Sequence, residues 1–149
     1  MSENKLHTIL NQTVADLSQT SALIHQVHWY MKGPGFLYLH PLMDDLRAEI
    51  EEFCDEFAER LITIGGSPIS TLKEFSECSE VRLESTIWDV PTKSRLQELV
   101  EAYEYLCSLL KRGIDCAHEK DDPATEDLYT SVLGKIDKRL WMLKSEVAD

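Results

Sequence analysis

Residues 39–66 read LHPLMDDLRAEIEEFCDEFAERLITIGG. Apolar side chains recur in this stretch at spacings of three or four residues, which is the period of an α-helix with one buried face. They are Leu39, Met43, Leu46, Ile50, Phe53, Phe57, Leu61 and Ile64. The pair Gly65-Gly66, with Pro68 just beyond, is typical of a helix C-terminus. The stretch therefore predicts one long amphipathic helix that packs against other elements.

Three further segments show the same period. The first runs to the breaker Gly33-Pro34-Gly35 and carries Leu6, Leu10, Val14, Leu17, Ile24 and Val27. The third starts after Pro91, ends near His118 and carries Leu96, Leu99, Tyr103, Leu106, Leu110 and Ile114. The fourth opens at Asp122-Pro123, an N-cap followed by proline at the first helical position, and carries Leu128, Val132, Ile136, Leu140, Leu143 and Val147.

These segments predict an all-α fold, a single domain over residues 1–149 built as a four-helix bundle. Short turns make helices one and two, and helices three and four, antiparallel neighbours. The long connection between helices two and three, from Gly65 to Pro91, contains Thr71-Leu72-Lys73-Glu74. This capping-box pattern predicts a short extra helix in the connection.

Composition narrows the classes of function. Of 149 residues 43% are hydrophobic, so disorder over the whole chain is excluded, and no apolar run is long enough to span a membrane. The net charge is −12 and neither end carries a basic arm, which disfavours direct nucleic-acid binding and favours small cations as partners. An acidic surface that only gives solubility is the alternative. The four cysteines (Cys54, Cys78, Cys107 and Cys116) form no CxxC pair, so we expect reduced, mostly buried thiols of a cytoplasmic protein.

One polar strip lies beside the apolar face of the second helix. At about 100° per residue, His40, Asp44, Asp55 and Glu59 share this strip. Imidazole and carboxylate together are a ligand set for iron, manganese or zinc. A second acidic strip holds Asp45, Glu49, Glu52 and Glu56. Solvated strips that pair with Arg47 and Arg60 are the simpler alternative.

His28 lies on the inward face of the first helix, where a lone histidine is more often a hydrogen-bonded core residue. The Gly33-Pro34-Gly35 turn can, however, bring it near His40. Asp44 and Asp55 are eleven residues apart, which is about 16 Å along a helix, so one helix cannot supply both to one metal. Either there are two weak half-sites, or a two-fold dimer completes each site from two chains. A di-iron site inside the bundle is disfavoured, because it needs Glu-x-x-His on two helices and the nearest match is Asp115-x-x-His118.

The chain resembles the Dps-like ferritins, or miniferritins, in particular their peroxide-resistance (Dpr-like) branch. The matching residues are His28-Trp29-Tyr30-Met31-Lys32-Gly33, then Phe36, His40, Met43 and Asp44, then Asp55 with Ala58-Glu59-Arg60. The run from Leu61 to Pro68, followed by Ser70-Thr71-Leu72-Lys73-Glu74-Phe75, is similar to the peroxide-resistance branch.

This resemblance implies a ferritin-like bundle assembled as a hollow dodecamer. Its two-fold interfaces would hold ferroxidase centres, with His28, His40 and Asp44 from one chain and Asp55 and Glu59 from its neighbour. Iron(II) would be oxidised there, preferably by hydrogen peroxide, and stored inside as a ferric mineral that protects the cell and its DNA. The second acidic strip is expected to nucleate mineral. The acidic residues between helices three and four are expected either to line a cation pore or simply to act at the helix N-terminus; these are Asp121, Asp122, Glu126 and Asp127.

Two alternatives to the ferroxidase remain at this point. One is a nucleoid protector that binds DNA, which the missing lysine-rich tail disfavours. The other is a shell that buffers zinc or manganese without turnover, since these metals accept the same ligands.

Overall fold

A computed structural model describes residues 4–149. It contains five helices: α1 (Lys5–Trp29), α2 (Phe36–Thr63), α3 (Leu72–Cys78), α4 (Thr92–Glu119) and α5 (Pro123–Val147). The described residues contain no strand. The all-α prediction is confirmed, and so is the short helix in the connection between α2 and α4.

Local chemistry sets the helix ends. Thr71 and Glu74 form the reciprocal capping box of α3, and the side chain of Asp122 accepts from the backbone N–H of Thr125 to cap α5. Gly65, with φ of 90°, occupies the left-handed conformation just after α2. The first helix is shorter than expected, since it ends at Trp29 and leaves residues 30–35 as the turn to α2.

The four long helices pack mainly as two hairpins, α1 with α2 and α4 with α5, and α1 lies against α4. The apolar stripes form the core between them, so that Leu10, Ile50 and Leu106 are all fully buried. Burial of such stripes is the main source of stability in an amphipathic bundle.

The connection between α2 and α4 is fastened to the bundle through Asp16, a fully buried carboxylate on α1. Its Oδ1 accepts from the Ser79 hydroxyl at 2.7 Å and the Glu80 backbone N–H at 2.8 Å. Its Oδ2 accepts from the Tyr105 hydroxyl at 2.5 Å and from Gln12 at 3.0 Å. One carboxylate therefore joins α1, the connection and α4.

The cysteine prediction is only partly right. All four thiols are free, but only Cys107 is buried, while Cys78 at the end of α3 is exposed. None of the described helices is long and apolar enough to cross a membrane.

Candidate metal centre

The turn between α1 and α2 brings His28 and His40 into contact. Their imidazole rings stack with centroids 3.6 Å apart and planes 11° from parallel. His28 lies in the last turn of α1 and His40 in the second turn of α2, so the short turn of residues 30–35 sets this contact.

The two histidines orient each other through their backbones. Nδ1 of His28 donates to the carbonyl of His40 at 2.7 Å, and Nδ1 of His40 donates to the carbonyl of His28 at 2.9 Å. A carbonyl only accepts, so each Nδ1 carries the hydrogen. In the neutral rings the lone pair therefore lies on Nε2, and a metal-binding histidine is commonly fixed in this way.

Asp44 lies next to this pair. Its Oδ1 is 3.6 Å from Nε2 of His28, and it follows His40 by one helical turn on α2. The His28 side chain is 13% exposed and that of Asp44 is 62% exposed. The imidazole is thus held by the protein, whereas the carboxylate is free to move onto an ion.

Asp55 and Glu59 lie elsewhere on α2. Both are exposed, and Asp55 is about three turns, or about 16 Å, from Asp44 along the helix. No three His, Cys, Asp or Glu side chains within residues 4–149 lie close enough together to hold a metal ion. One chain therefore presents His28, His40 and Asp44 at one end of α2 and Asp55 and Glu59 towards the other.

An open groove of about 600 Å³ runs along α1 and α2 and reaches α3. His25, Arg47 and Asp55 are among its lining residues. Leu72 lines the groove and is 86% exposed, and Ile62, one turn beyond the lining residue Ala58 on α2, is 58% exposed. Burial, together with the neighbouring Arg47 and His28, lowers the pKa of His25 below its usual 6.5.

The other acidic residues form two groups, those paired with another side chain of the same chain and those that are exposed. In the second strip, Glu49 pairs with Arg139 on α5 at 3.2 Å, so it is not a free mineral ligand. The arginines do not pair with the first strip: Arg47 pairs with Glu51, and Arg60 reaches Asp122.

Between α4 and α5 the expected cap is confirmed at Asp122. Glu126 pairs with His118 at 3.3 Å. Asp121 and Asp127 are exposed. Two of the four acidic residues at this corner therefore have partners within their own chain, and a pore function would fall mainly to the exposed pair.

Sequence reasoning missed the ring packing around His40. The Phe36 ring stacks on His40 with centroids 4.6 Å apart and an angle of 20°. The i,i+4 spacing of Phe36 and His40 was the available signal, because such pairs meet on a helix surface. Trp29 is likewise in ring contact with His25, at 3.6 Å.

The chain is similar to known proteins over nearly its whole length. The family model of the Ferritin-like domain matches residues 8–149. The "DNA protection during starvation protein" of Streptococcus suis is 45% identical over 139 residues, which cover 93% of this chain and 81% of the relative.

Solved structures agree. Dps from Listeria innocua soaked with cobalt is 40% identical, with a TM-score of 0.93, covering 95% of this chain and 91% of that one. Dps from Staphylococcus aureus is 30% identical, with a TM-score of 0.94, covering 99% and 98%. These matches do not separate the peroxide-resistance branch from the rest of the family. They do show that the chain belongs to the Dps family of ferritin-like proteins.

Proposed function

We propose that this protein is a ferroxidase and iron store, which oxidises iron(II) preferably with hydrogen peroxide and keeps the ferric product inside a shell of identical chains. His28, His40 and Asp44 of one chain form each site together with Asp55 and Glu59 of a second chain. The coarser conclusion, an iron-storing and stress-protecting protein, follows from membership of the Dps family.

The observation that carries this proposal is the reciprocal pairing of His28 and His40. Each imidazole is oriented by the other's carbonyl, which leaves two Nε2 lone pairs available, and that of His28 lies 3.6 Å from the Asp44 carboxylate. A purely structural histidine pair has no need to present both Nε2 atoms with a neighbouring exposed carboxylate. Imidazole suits iron(II), and carboxylates gain in affinity as the ion becomes the harder iron(III).

The site needs two chains because its donors are too far apart on α2. A two-fold axis that sets two copies of the α1–α2 face against each other, with their α2 helices antiparallel, places the Asp44 end of one over the Asp55 end of the other. This face carries the open groove and the exposed apolar side chains of Ile62 and Leu72, and a second chain packed on it would bury this surface. The resemblance to the miniferritins implies an oligomeric shell, and we propose a dodecamer here.

The proposed chemistry balances without releasing a radical. Two ferrous ions each lose one electron and one peroxide accepts both, so that its O–O bond breaks and two hydroxides form. A site that holds two ferrous ions favours this two-electron step over one-electron cleavage, which gives hydroxyl radical. Inside the shell, the exposed side chains of Asp45, Glu52 and Glu56 would nucleate the ferric mineral.

The test adds iron(II) to the protein without oxygen, then adds peroxide, and follows ferric absorbance and hydroxyl-radical trapping. The wild type should oxidise iron much faster than buffer and suppress the radical signal. The double variant His40→Ala with Asp44→Ala should oxidise iron no faster than buffer. His118→Ala is the matched control, because this histidine lies at the opposite end of the bundle and should leave oxidation unchanged.

A metal-buffering shell that does not turn over is the second candidate. The relative from Listeria innocua was soaked with cobalt, and the ligand set also accepts zinc and manganese. Normal metal binding by the wild type, with oxidation no faster than in buffer, would establish this candidate in place of the ferroxidase.

Protection of DNA, in this proposal, comes from removing iron(II) and peroxide rather than from binding. The net charge of −12 opposes association with a phosphate backbone. No mobility shift of duplex DNA is expected at about 0.1 M salt, where cationic DNA-binding proteins still bind. A clear shift would favour a protector that covers DNA.

A further inference from the structure

We propose that Phe36 is a positioning residue of the metal site, whose ring holds the His40 imidazole in its metal-binding orientation. This inference rests on the proposed function. It adds a residue whose role is to orient a ligand without contacting the metal.

The geometry around His40 leaves one edge of the ring free. The Phe36 ring is stacked at 4.6 Å and the His28 ring at 3.6 Å, both nearly parallel to His40. Two rings at these separations cannot share one face, so they cover opposite faces. The Nδ1 edge is occupied by the hydrogen bond to the His28 carbonyl. The Nε2 edge is the part left for a metal ion.

Phe36 is itself fixed in place. It is the first residue of α2 and is half-buried against the core. Its backbone N–H donates to the carbonyl of Gly33 at 3.1 Å, which closes the turn, and Gly35 adopts φ of 87°. A Cβ on Gly35 would come within 3.0 Å of Leu39, so the turn tolerates little change. The ring is therefore set by the turn before any metal arrives.

Such a ring affects metal binding in two ways. It removes rotational freedom from His40 before binding, so less entropy is lost when the ion is held. It also presents a negative π face to an imidazole that becomes electron-poor when it ligates a cation. The second effect matters because His28 and His40 are stacked face to face and both become electron-poor together.

The test measures cobalt(II) affinity of the assembled protein by titration, following the visible absorption of the bound ion. Phe36→Leu keeps apolar volume but removes the π face, and it should weaken cobalt binding about tenfold, as is typical when a residue supporting a metal ligand is lost. Phe36→Tyr keeps the ring and should stay close to wild-type affinity. In iron oxidation, Phe36→Leu should raise the KM for iron(II) far more than it lowers kcat.

Leu42→Ala is the matched control, because Leu42 is a half-buried residue on the same part of α2. It should lower stability without weakening cobalt binding. Weakening by Leu42→Ala equal to that of Phe36→Leu would overturn the proposal in favour of general loosening of α2. Phe36→Tyr as weak as Phe36→Leu would also overturn it.

His40→Ala separates failure of this inference from failure of the proposed function. Wild-type affinity in Phe36→Leu, with binding lost in His40→Ala, would reject the role of Phe36 and leave the metal site in place. Wild-type affinity in His40→Ala would reject the metal site itself, and the role of Phe36 with it.

Discussion

Two sets of carboxylates in this molecule have opposite surroundings. Asp16 is fully buried and accepts four hydrogen bonds, all from its own chain. Asp55 and Glu59 on α2 are exposed, and their carboxylates have no hydrogen-bond or ion-pair partner among residues 4–149. A carboxylate whose donors come from its own chain stabilises the fold. A carboxylate without such donors is available to an ion or to another chain.

The largest expected effect is a loss of iron oxidation without a loss of stability. Asp55→Ala with Glu59→Ala should reduce peroxide-driven iron oxidation to the rate in buffer, because half of each site loses its ligands. The unfolding transition should not fall, since these exposed side chains hold nothing in their own chain. Oxidation kinetics and thermal unfolding of the same preparation check both statements.

A mixture of two inactive variants tests whether the site spans two chains. Equal co-expression of Asp55→Ala/Glu59→Ala with His40→Ala/Asp44→Ala makes half of the dimers mixed, and one of the two sites in each mixed dimer is intact. About a quarter of wild-type activity should return if sites form between two-fold partners. A site within one chain predicts no recovery, because every chain then carries a damaged site.

The next prediction concerns the buried carboxylate of Asp16, where we expect stability to fall and activity to remain. Asp16→Asn must turn an amide N–H₂ towards two donors, and the loss of charge weakens the remaining two bonds. We expect a loss of about 3 kcal/mol in unfolding free energy, because two part-buried donors lose their acceptor and the other two lose a charged one. Denaturant unfolding at fixed protein concentration measures it, and the activity of the folded fraction should be normal.

Ser79→Ala is the matched control for Asp16, because it removes only one of the four donors. Its expected cost is about 1 kcal/mol. Equal costs for the two variants would mean that the Asp16 cluster does not act as a clamp between α1, the connection and α4.

The same contrast explains what the sequence could predict. The stripe from Leu39 to Leu61 and the capping box at Thr71 are local patterns, and both were predicted correctly. The contact of His28 with His40 was also accessible, because only a short turn separates them.

The Asp16 clamp was not predictable in this way, since Ser79 and Tyr105 are 63 and 89 residues away from it. No spacing rule connects donors at such separations. The residues expected to meet Asp55 came only from the family resemblance, for another reason. If the site spans two chains, the pairing of their surfaces decides it, and one sequence carries no local pattern for that pairing.

The smallest expected effect concerns Asp122, which is half-buried and so lies between buried Asp16 and exposed Asp55. The sequence predicted that Asp122 either caps α5 or lines a pore. Burial raises the pKa of this carboxyl, but hydrogen bonds from Thr125 and the charge of Arg60 outweigh burial and hold the pKa below its usual 3.8. Its stabilisation is therefore present above the unfolded pKa and is lost as pH falls through the folded value. Asp122→Ala should cost about 1 kcal/mol near pH 7, the usual value of an N-cap.

That cost should shrink as unfolding is measured at pH values further below the usual carboxyl pKa of 3.8, because protonation of wild-type Asp122 weakens the cap. Asp127→Ala provides the comparison, because this exposed residue should leave stability unchanged at both pH values. If iron uptake slows in Asp127→Ala but not in Asp122→Ala, the exposed acids serve the cation path and the cap serves the fold. Slower uptake in Asp122→Ala but not in Asp127→Ala would mean that a carboxylate can cap a helix of its own chain and still conduct ions. The contrast between buried Asp16 and the exposed carboxylates of α2 would then not extend to the corner between α4 and α5.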